Sequence, residues 1–257
     1  MSADQRPPPA GRVTGWSPDH GPGLHTALEE LSSREISVVG RLPWSSNLTF
    51  LVGLDADGPD PIHAVYKPAS GEQSLWDFPD GLYRREVAAF AVSEALGWGL
   101  VPPTVARDDG PFGPGSLQLF VEADYEQHYF TLLEEGGHEP TLMKICALDI
   151  VINNADRKSG HVLSGPDGRL WGIDHGLCFH RQHKLRTVIW DFADEEVPGP
   201  ILEELGRRLL PDLPDEVARL LPGPEREALT ERVRRLVGTG VFPEPVGDRP
   251  PYPWPLV

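Results

Sequence analysis

Between residues 35 and 67 the apolar positions fall in short runs, Ile36-Ser37-Val38-Val39, Leu48-Thr49-Phe50-Leu51-Val52 and His63-Ala64-Val65-Tyr66-Lys67, rich in β-branched and aromatic side chains. Such runs predict strands, and Asp55-Ala56-Asp57-Gly58-Pro59 supplies a turn between the last two, so an antiparallel sheet is expected. The period then changes. Val87, Phe90, Ala91 and Ala95 recur at helical spacing between Tyr83 and Leu96, and Gly97 stops the pattern, predicting a helix of about four turns. Past Pro102-Pro103, Thr104-Val105-Ala106 and the run from Ser116 to Val121 read as two further strands. After Glu122 the pattern is helical. Thr141 is a candidate N-cap for a segment with Leu142, Ile145, Leu148 and Ile152 on one side, and Pro224 opens another with Leu229, Val233 and Leu236, closed by Gly238. Between them, His161-Val162-Leu163 and Leu170-Trp171-Gly172-Ile173 flank a turn at Ser164-Gly165-Pro166-Asp167-Gly168 and predict a small hairpin. A sheet with one helix, followed by a helical half, is the pattern of an α+β chain of two lobes.

Composition adds the ends and the environment. The chain of 257 residues has 28 prolines, and these crowd the stretches 1–23 and 241–257, where proline breaks both helices and ladders. Both stretches are expected to be extended tails around an N-terminal lobe at 24–122 and a C-terminal lobe at 123–240. The last, Pro250-Pro251-Tyr252-Pro253-Trp254-Pro255, suits either a polyproline ligand or a tail laid over its own domain by Tyr252 and Trp254. Lys and Arg number 23 against 39 Asp and Glu, a net charge of −16 that repels nucleic acid and anionic membranes. No apolar run is long enough to span a bilayer and the start lacks the layout of a signal peptide, so neither export nor a stable membrane anchor is expected. Cys146 and Cys178 form no metal or disulfide framework, which predicts a reducing, cytoplasmic setting.

Four features stand in the order that phosphoryl transfer requires. Ser45, Ser46 and Asn47 lie in a turn entering a strand, where backbone N–H groups and hydroxyls can donate to a phosphate, although an ordinary polar turn reads the same way. Lys67 ends an apolar strand. A cation projecting from a rigid strand can hold the α and β phosphates of ATP if a carboxylate fixes it; Glu86 on the next helix is the first choice of partner and Glu94 the second. The plainer reading is a lysine snorkelling at the sheet edge. Asp156, with Arg157 beside it, follows the Leu148–Ile152 helix in a polar loop, where a carboxylate can accept the proton of an acceptor hydroxyl. A helix-terminal turn rich in Asn and Asp is the alternative. Finally, Asp174 leaves a strand ahead of Gly176, a place from which it can hold Mg²⁺ against the β and γ phosphates, with the glycine expected to make the sharp turn.

With these residues the chain resembles the phosphatidylinositol 3-/4-kinase superfamily, in the style of type II phosphatidylinositol 4-kinases and kinase-like proteins of actinobacteria. The resemblance rests on Ser45-Ser46, Val65-Tyr66-Lys67-Pro68, Val101-Pro102-Pro103-Thr104, Asp149 with Asn154 and Asp156-Arg157, and Ile173-Asp174-His175-Gly176-Leu177, and covers roughly 42–179. It implies a two-lobed protein-kinase-like fold and an ATP-dependent phosphotransferase. Lys67 and Glu86 would then serve the phosphates, Leu119, Phe120, Val121 and Glu122 would form the hinge that meets adenine, and Asp156 with Arg157 would be the catalytic-loop pair. Asp174 would hold Mg²⁺ or Mn²⁺. Two departures qualify this. His161 stands where such kinases carry a metal-binding Asn, and imidazole suits Mn²⁺ or Zn²⁺ better than Mg²⁺. The chain also has no cysteine-rich or polybasic segment for a lipid surface, which favours a soluble hydroxyl-bearing acceptor, either a small molecule or a protein. A catalytically silent nucleotide-binding module and an AMP transferase on the same fold remain open at this point. So does a metal site built from His161, His175, His180 and His183, or an anion site at the local basic cluster of Arg181, Lys184 and Arg186.

Overall fold

A computed structural model describes residues 23–43, 47–55, 62–245 and 251–256. The chain folds as two compact units, one running to Ser74 together with Pro103–Glu122, and a second formed by Leu75–Pro102 with Ala123 onward. The helix expected after the sheet belongs to the second unit.

The first unit holds helix α1 (Leu24–Ser33) and strands β1 (Ile36–Arg41), β2 (Phe50–Leu54) and β3 (Ile62–Pro68). It then resumes, past α2 (Leu82–Leu96) of the other unit, with β4 (Thr104–Arg107) and β5 (Gly115–Leu119). The strands form one antiparallel sheet in the order β1-β2-β3-β5-β4. β3 alternates between buried and half-buried positions, as a strand with one covered face must, so that Ala64 and Tyr66 join Val52, Leu54, Leu117 and Leu119 in the core. Ala27 and Leu31 of α1 close that core. The apolar strand runs did not announce α1; its C-terminal carbonyls are held by Arg107, whose Nη1 donates to Leu31 O at 2.7 Å and Arg34 O at 3.1 Å. The β2 strand begins two residues later than the run starting at Leu48, because Leu48 N–H turns to Gly71 O at 3.1 Å. The expected turn at 55–59 lies outside the described residues after Asp55.

The second unit is helical apart from a two-stranded hairpin, β6 (Val162–Ser164) and β7 (Leu170–Gly172). Its helices after α2 are α3 (Tyr129–Glu135), α4 (Glu139–Ile152), α5 (Gly199–Leu209), α6 (Asp215–Leu220) and α7 (Gly223–Thr239). Gly97 does end α2, in the left-handed region at φ 73°. Helix α4 begins at Glu139 with Pro140 in its first turn, ahead of the expected cap at Thr141. It buries Leu142, Ile145, Leu148 and Ile152, but also Cys146, Ala147, Asp149 and Val151, so it runs through the core rather than along its edge. Helix α7 buries Leu229, Val233 and Leu236 and passes through Gly238 to a left-handed Gly240. In α5, Ile201, Leu205 and Leu209 recur every fourth residue and face inward. Among the described residues no helix is long and apolar enough to cross a membrane.

Candidate active site

The site grows from the end of α4. Asn153 adopts a left-handed conformation at φ 56° and stops the helix, and its side chain is spent on the backbone. Nδ2 donates to His180 O at 2.8 Å and Gln182 O at 2.7 Å, while Oδ1 accepts from Lys184 N at 2.9 Å. The loop that follows pairs with the segment 177–188: Ala155 N donates to Leu177 O, Arg157 N to Arg186 O and Val188 N to Arg157 O, at 2.9, 3.1 and 3.0 Å. Residues 153–161 are thus laid into a backbone frame.

Arg157 is the pillar of that frame. Its side chain has no exposed surface, and all of its N–H donors are used. Nε and Nη2 clasp both oxygens of the equally buried Asp149, at 2.8 and 2.9 Å. Nη1 reaches His161 O at 3.1 Å and Ile173 O at 2.9 Å, and Nη2 meets His175 Nε2 at 2.7 Å. A guanidinium only donates, so His175 Nε2 must carry the lone pair and its ring is neutral with the proton on Nδ1. Burial alone would pull the Arg157 pKa down, but the charge and hydrogen bonds of Asp149 outweigh it and the guanidinium is held above its ordinary value. Asn154 Nδ2 completes the Asp149 carboxylate at 2.9 Å. A lone acidic residue inside the apolar run Leu148-Asp149-Ile150-Val151 was the sequence signal for this brace.

Only Asp156 of the Asp156-Arg157 pair reaches solvent. Its N–H donates to Asn154 Oδ1 at 3.0 Å, and its carboxylate sits 3.1 Å from Lys158 Nζ. Burial pushes the Asp156 carboxyl above the usual carboxylate range and the Asp174 charge adds to this, against the pull of Lys158 and Arg186. His161 and Asp174 are brought together, Nε2 to Oδ2 at 3.4 Å. Asp174 has its side chain 45% exposed and itself takes the left-handed conformation, at φ 61°; the turn expected of Gly176 is made by the aspartate. Behind it, buried Glu86 of α2 accepts the His175 N–H at 2.8 Å. Asp156, His161 and Asp174 therefore share one neighbourhood, tied together through Arg157 and Glu86.

Apart from Glu86, the residues expected to meet the nucleotide belong to the first unit. Lys67 is on β3 in the first unit, in register with Ser116 of β5. Leu119 ends β5, with its N–H on Pro103 O; Phe120 N–H bonds His63 O, and Glu122 is the last residue of the first unit. Asn47 Oδ1 accepts Gln73 N–H at 2.9 Å, whereas Ser45 and Ser46 fall outside the described residues. The four histidines do not form a metal site: no group of three or more His, Cys, Asp or Glu able to hold an ion occurs among the described residues. His175 is committed to Arg157, and His180 tilts against Phe78 with ring centroids 5.1 Å apart. The basic cluster is partly spent as well, with Lys184 Nζ on Asp77 at 2.6 Å and Arg186 Nε on Ala155 O at 2.9 Å. An open cavity of about 610 Å³ lies between Trp76–Pro79 and the 180–184 loop.

The model of the family "Phosphatidylinositol 3- and 4-kinase" matches residues 104–205, a span that contains Asp149, Asp156, Arg157, His161 and Asp174. Protein Rv2133c of Mycobacterium tuberculosis is 40% identical over 266 residues, covering 88% of this chain and 93% of that protein. The chain belongs to the phosphatidylinositol 3-/4-kinase-like superfamily. A phosphatidylinositol 4-kinase gamma 4 of Oryza sativa subsp. japonica is 30% identical over 168 residues, which cover 49% of this chain but only 28% of the rice protein. Among solved structures, hydra Fam20 with sugar superposes with a TM-score of 0.55 at 16% identity, covering 85% of this chain and 88% of the other. At that identity the likeness bears on fold alone, and it supports the α+β, protein-kinase-like fold expected from the strand and helix pattern. For this member of the phosphatidylinositol 3-/4-kinase-like superfamily, the buried Asp149–Arg157 brace explains why Asp156 and Asp174 hold their places on two separate loops.

Proposed function

We propose that this protein transfers the γ-phosphoryl group of ATP to a hydroxyl on a soluble acceptor. The observation that carries the reading is the meeting, on one braced frame, of the solvent-reaching Asp156 with its raised pKa and the His161–Asp174 pair. Asp156 orients the acceptor hydroxyl and takes its proton as the acceptor oxygen bonds to the γ-phosphorus. The bond from that phosphorus to the β-γ bridging oxygen breaks, and ADP leaves. Lys158, 3.1 Å away, opposes the rise that burial imposes on the Asp156 carboxyl. Arg157 is a positioning residue, since its side chain is fully buried and all its N–H donors are used by protein groups.

The donor set fits a divalent cation that completes its shell with nucleotide phosphates and water: one or two protein ligands suffice, and an all-protein cage is not needed. Asp174 and His161 would hold it, and when bound it neutralises charge on the β and γ phosphates. Lys67 with Glu86, the Ser45-Ser46-Asn47 turn and Leu119–Glu122 are assigned to the nucleotide from the order of the superfamily's parts. The net charge of −16 supports a soluble acceptor over an anionic bilayer. Titration calorimetry with ATP, with and without Mg²⁺ or Mn²⁺, tests the reading. Wild type binds only with metal and Asp174→Asn and Lys67→Ala do not; absence of binding in wild type under either metal refutes it.

One observation favours a second reading, a nucleotide-binding module without turnover. His161 Nδ1 accepts the Lys158 N–H at 3.4 Å, which puts the ring proton on Nε2, facing Asp174. Ligation through Nε2 reverses that tautomer and gives up the backbone bond. Transfer of labelled γ-phosphate to a component of cell extract, with ADP as co-product and loss on Asp156→Ala, decides for the enzyme.

A further inference from the structure

The Pro-rich segment at 251–256 lies over the second unit, but not by the aromatic side chains expected to anchor it. Tyr252 is 46% and Trp254 88% exposed, and Pro253 is the buried residue. The attachment is made by backbone carbonyls. Leu256 O accepts the Ser159 N–H at 2.8 Å; Pro251 O accepts both the Thr187 N–H at 3.0 Å and the Trp190 Nε1–H at 3.2 Å.

These donors occupy informative places. Ser159 is fully buried and sits between Lys158, the partner of Asp156, and His161, the partner of Asp174. Thr187, also buried, pairs with Arg157 in an isolated parallel bridge. A buried N–H without an acceptor is costly, so the loop needs carbonyls brought to it. The segment supplies them from Pro251 O and Leu256 O, and Pro251, Pro253 and Pro255 carry no N–H that would itself need a partner.

We infer that residues 251–256 are a strap that positions the loop carrying Asp156 and His161, holding it from the Ser159 side and, through Thr187, from the Arg157 side. The role in turnover rests on the phosphotransferase reading; the hold on the loop does not. The test is amide hydrogen exchange on the whole chain and on a chain lacking residues 250–257. Exchange at Ser159 and Thr187 is expected to quicken about ten-fold or more, with Leu148 of α4 and Val233 of α7 unchanged. Trp190→Phe, which removes one donor and keeps a ring, and Pro253→Asp, both in the full-length chain, give smaller shifts at the same amides and serve if the shortened chain does not fold. Adding a peptide of residues 249–257 restores protection. In ATP turnover the shortened chain is expected to lose kcat about ten-fold while KM for ATP stays within about two-fold, because the loop and not the nucleotide contacts is disturbed. Unchanged exchange at Ser159 overturns the strap, and faster exchange with unchanged kcat overturns its positioning role. Should wild type show no turnover, the phosphotransferase reading fails while exchange at Ser159 still decides whether the strap holds the loop.

Discussion

Removing the charge of Asp149 while keeping its shape, by Asp149→Asn, is the sharpest probe of the frame beneath the site. The two side chains are 1% and 0% exposed and share two hydrogen bonds at 2.8 and 2.9 Å, so the variant leaves a guanidinium sealed in protein without a counter-charge. Breaking a buried pair from one side costs about 3–5 kcal/mol. For a chain of this size each kcal/mol moves the midpoint by roughly 2–4 °C, so the expected fall is about 6–20 °C. Arg157→Met should cost as much, because it strands the carboxylate and orphans the carbonyls of His161 and Ile173. The double variant removes both charges and should be less destabilised than the sum of the singles by about 1–3 kcal/mol. Urea unfolding, followed through the buried Trp171 of the same unit, reads all three. A cost below about 1 kcal/mol for either single variant, or strict additivity, would refute the claim that this pair supports the loop.

Other outcomes follow from the same geometry. Asp156→Asn should lower ATP turnover at least about 100-fold while stabilising the fold. The native carboxyl titrates above its unfolded value, so its charge opposes folding at neutral pH; the variant's gain should shrink as pH falls through that raised pKa and wild type protonates too, which unfolding at several pH values checks. Gly115→Ala would place a Cβ 2.5 Å from Lys67 O and 2.9 Å from Pro68 Cα, cost about 1–3 kcal/mol in unfolding experiments and weaken ATP binding through the strand that carries Lys67. Lys184→Met removes a 2.6 Å pair with Asp77, for which a loss of about 1 kcal/mol is expected. Lys184 holds the Asp77 carboxyl below its ordinary range, so the difference from wild type should be full at neutral pH and disappear as acid protonates Asp77.

Much of the fold was open to reading because its signals are local. The strand-like run His63–Lys67, the Val87–Ala95 spacing stopped by Gly97, and the Ser164–Gly168 turn each declare themselves within a few residues, and the structure carries all three. Asp156, His161 and Asp174 could be named as candidates for the same reason, each being polar chemistry next to the end of an apolar element. Local pattern and composition thus account for the strands, for α2, α4 and α7, for the net charge and for this shortlist, but not for α1, α3, α5 or α6. Long-range packing settled the rest. Arg157 sits beside Asp156 and reads as its catalytic companion, yet it is wholly enclosed by Asp149 of α4, His161 of its own loop, and Ile173 and His175 of the loop after β7. His175 and His180 are close in sequence, but His175 meets Arg157 whereas His180 tilts against Phe78. The Pro-rich segment is held by carbonyls, which every sequence has, against N–H groups left unpaired by distant loops, and only folding brings those together. Burial and pairing are long-range properties: a side chain's charge and reach are written in its identity, but the groups that neutralise or orient it arrive from elsewhere in the chain.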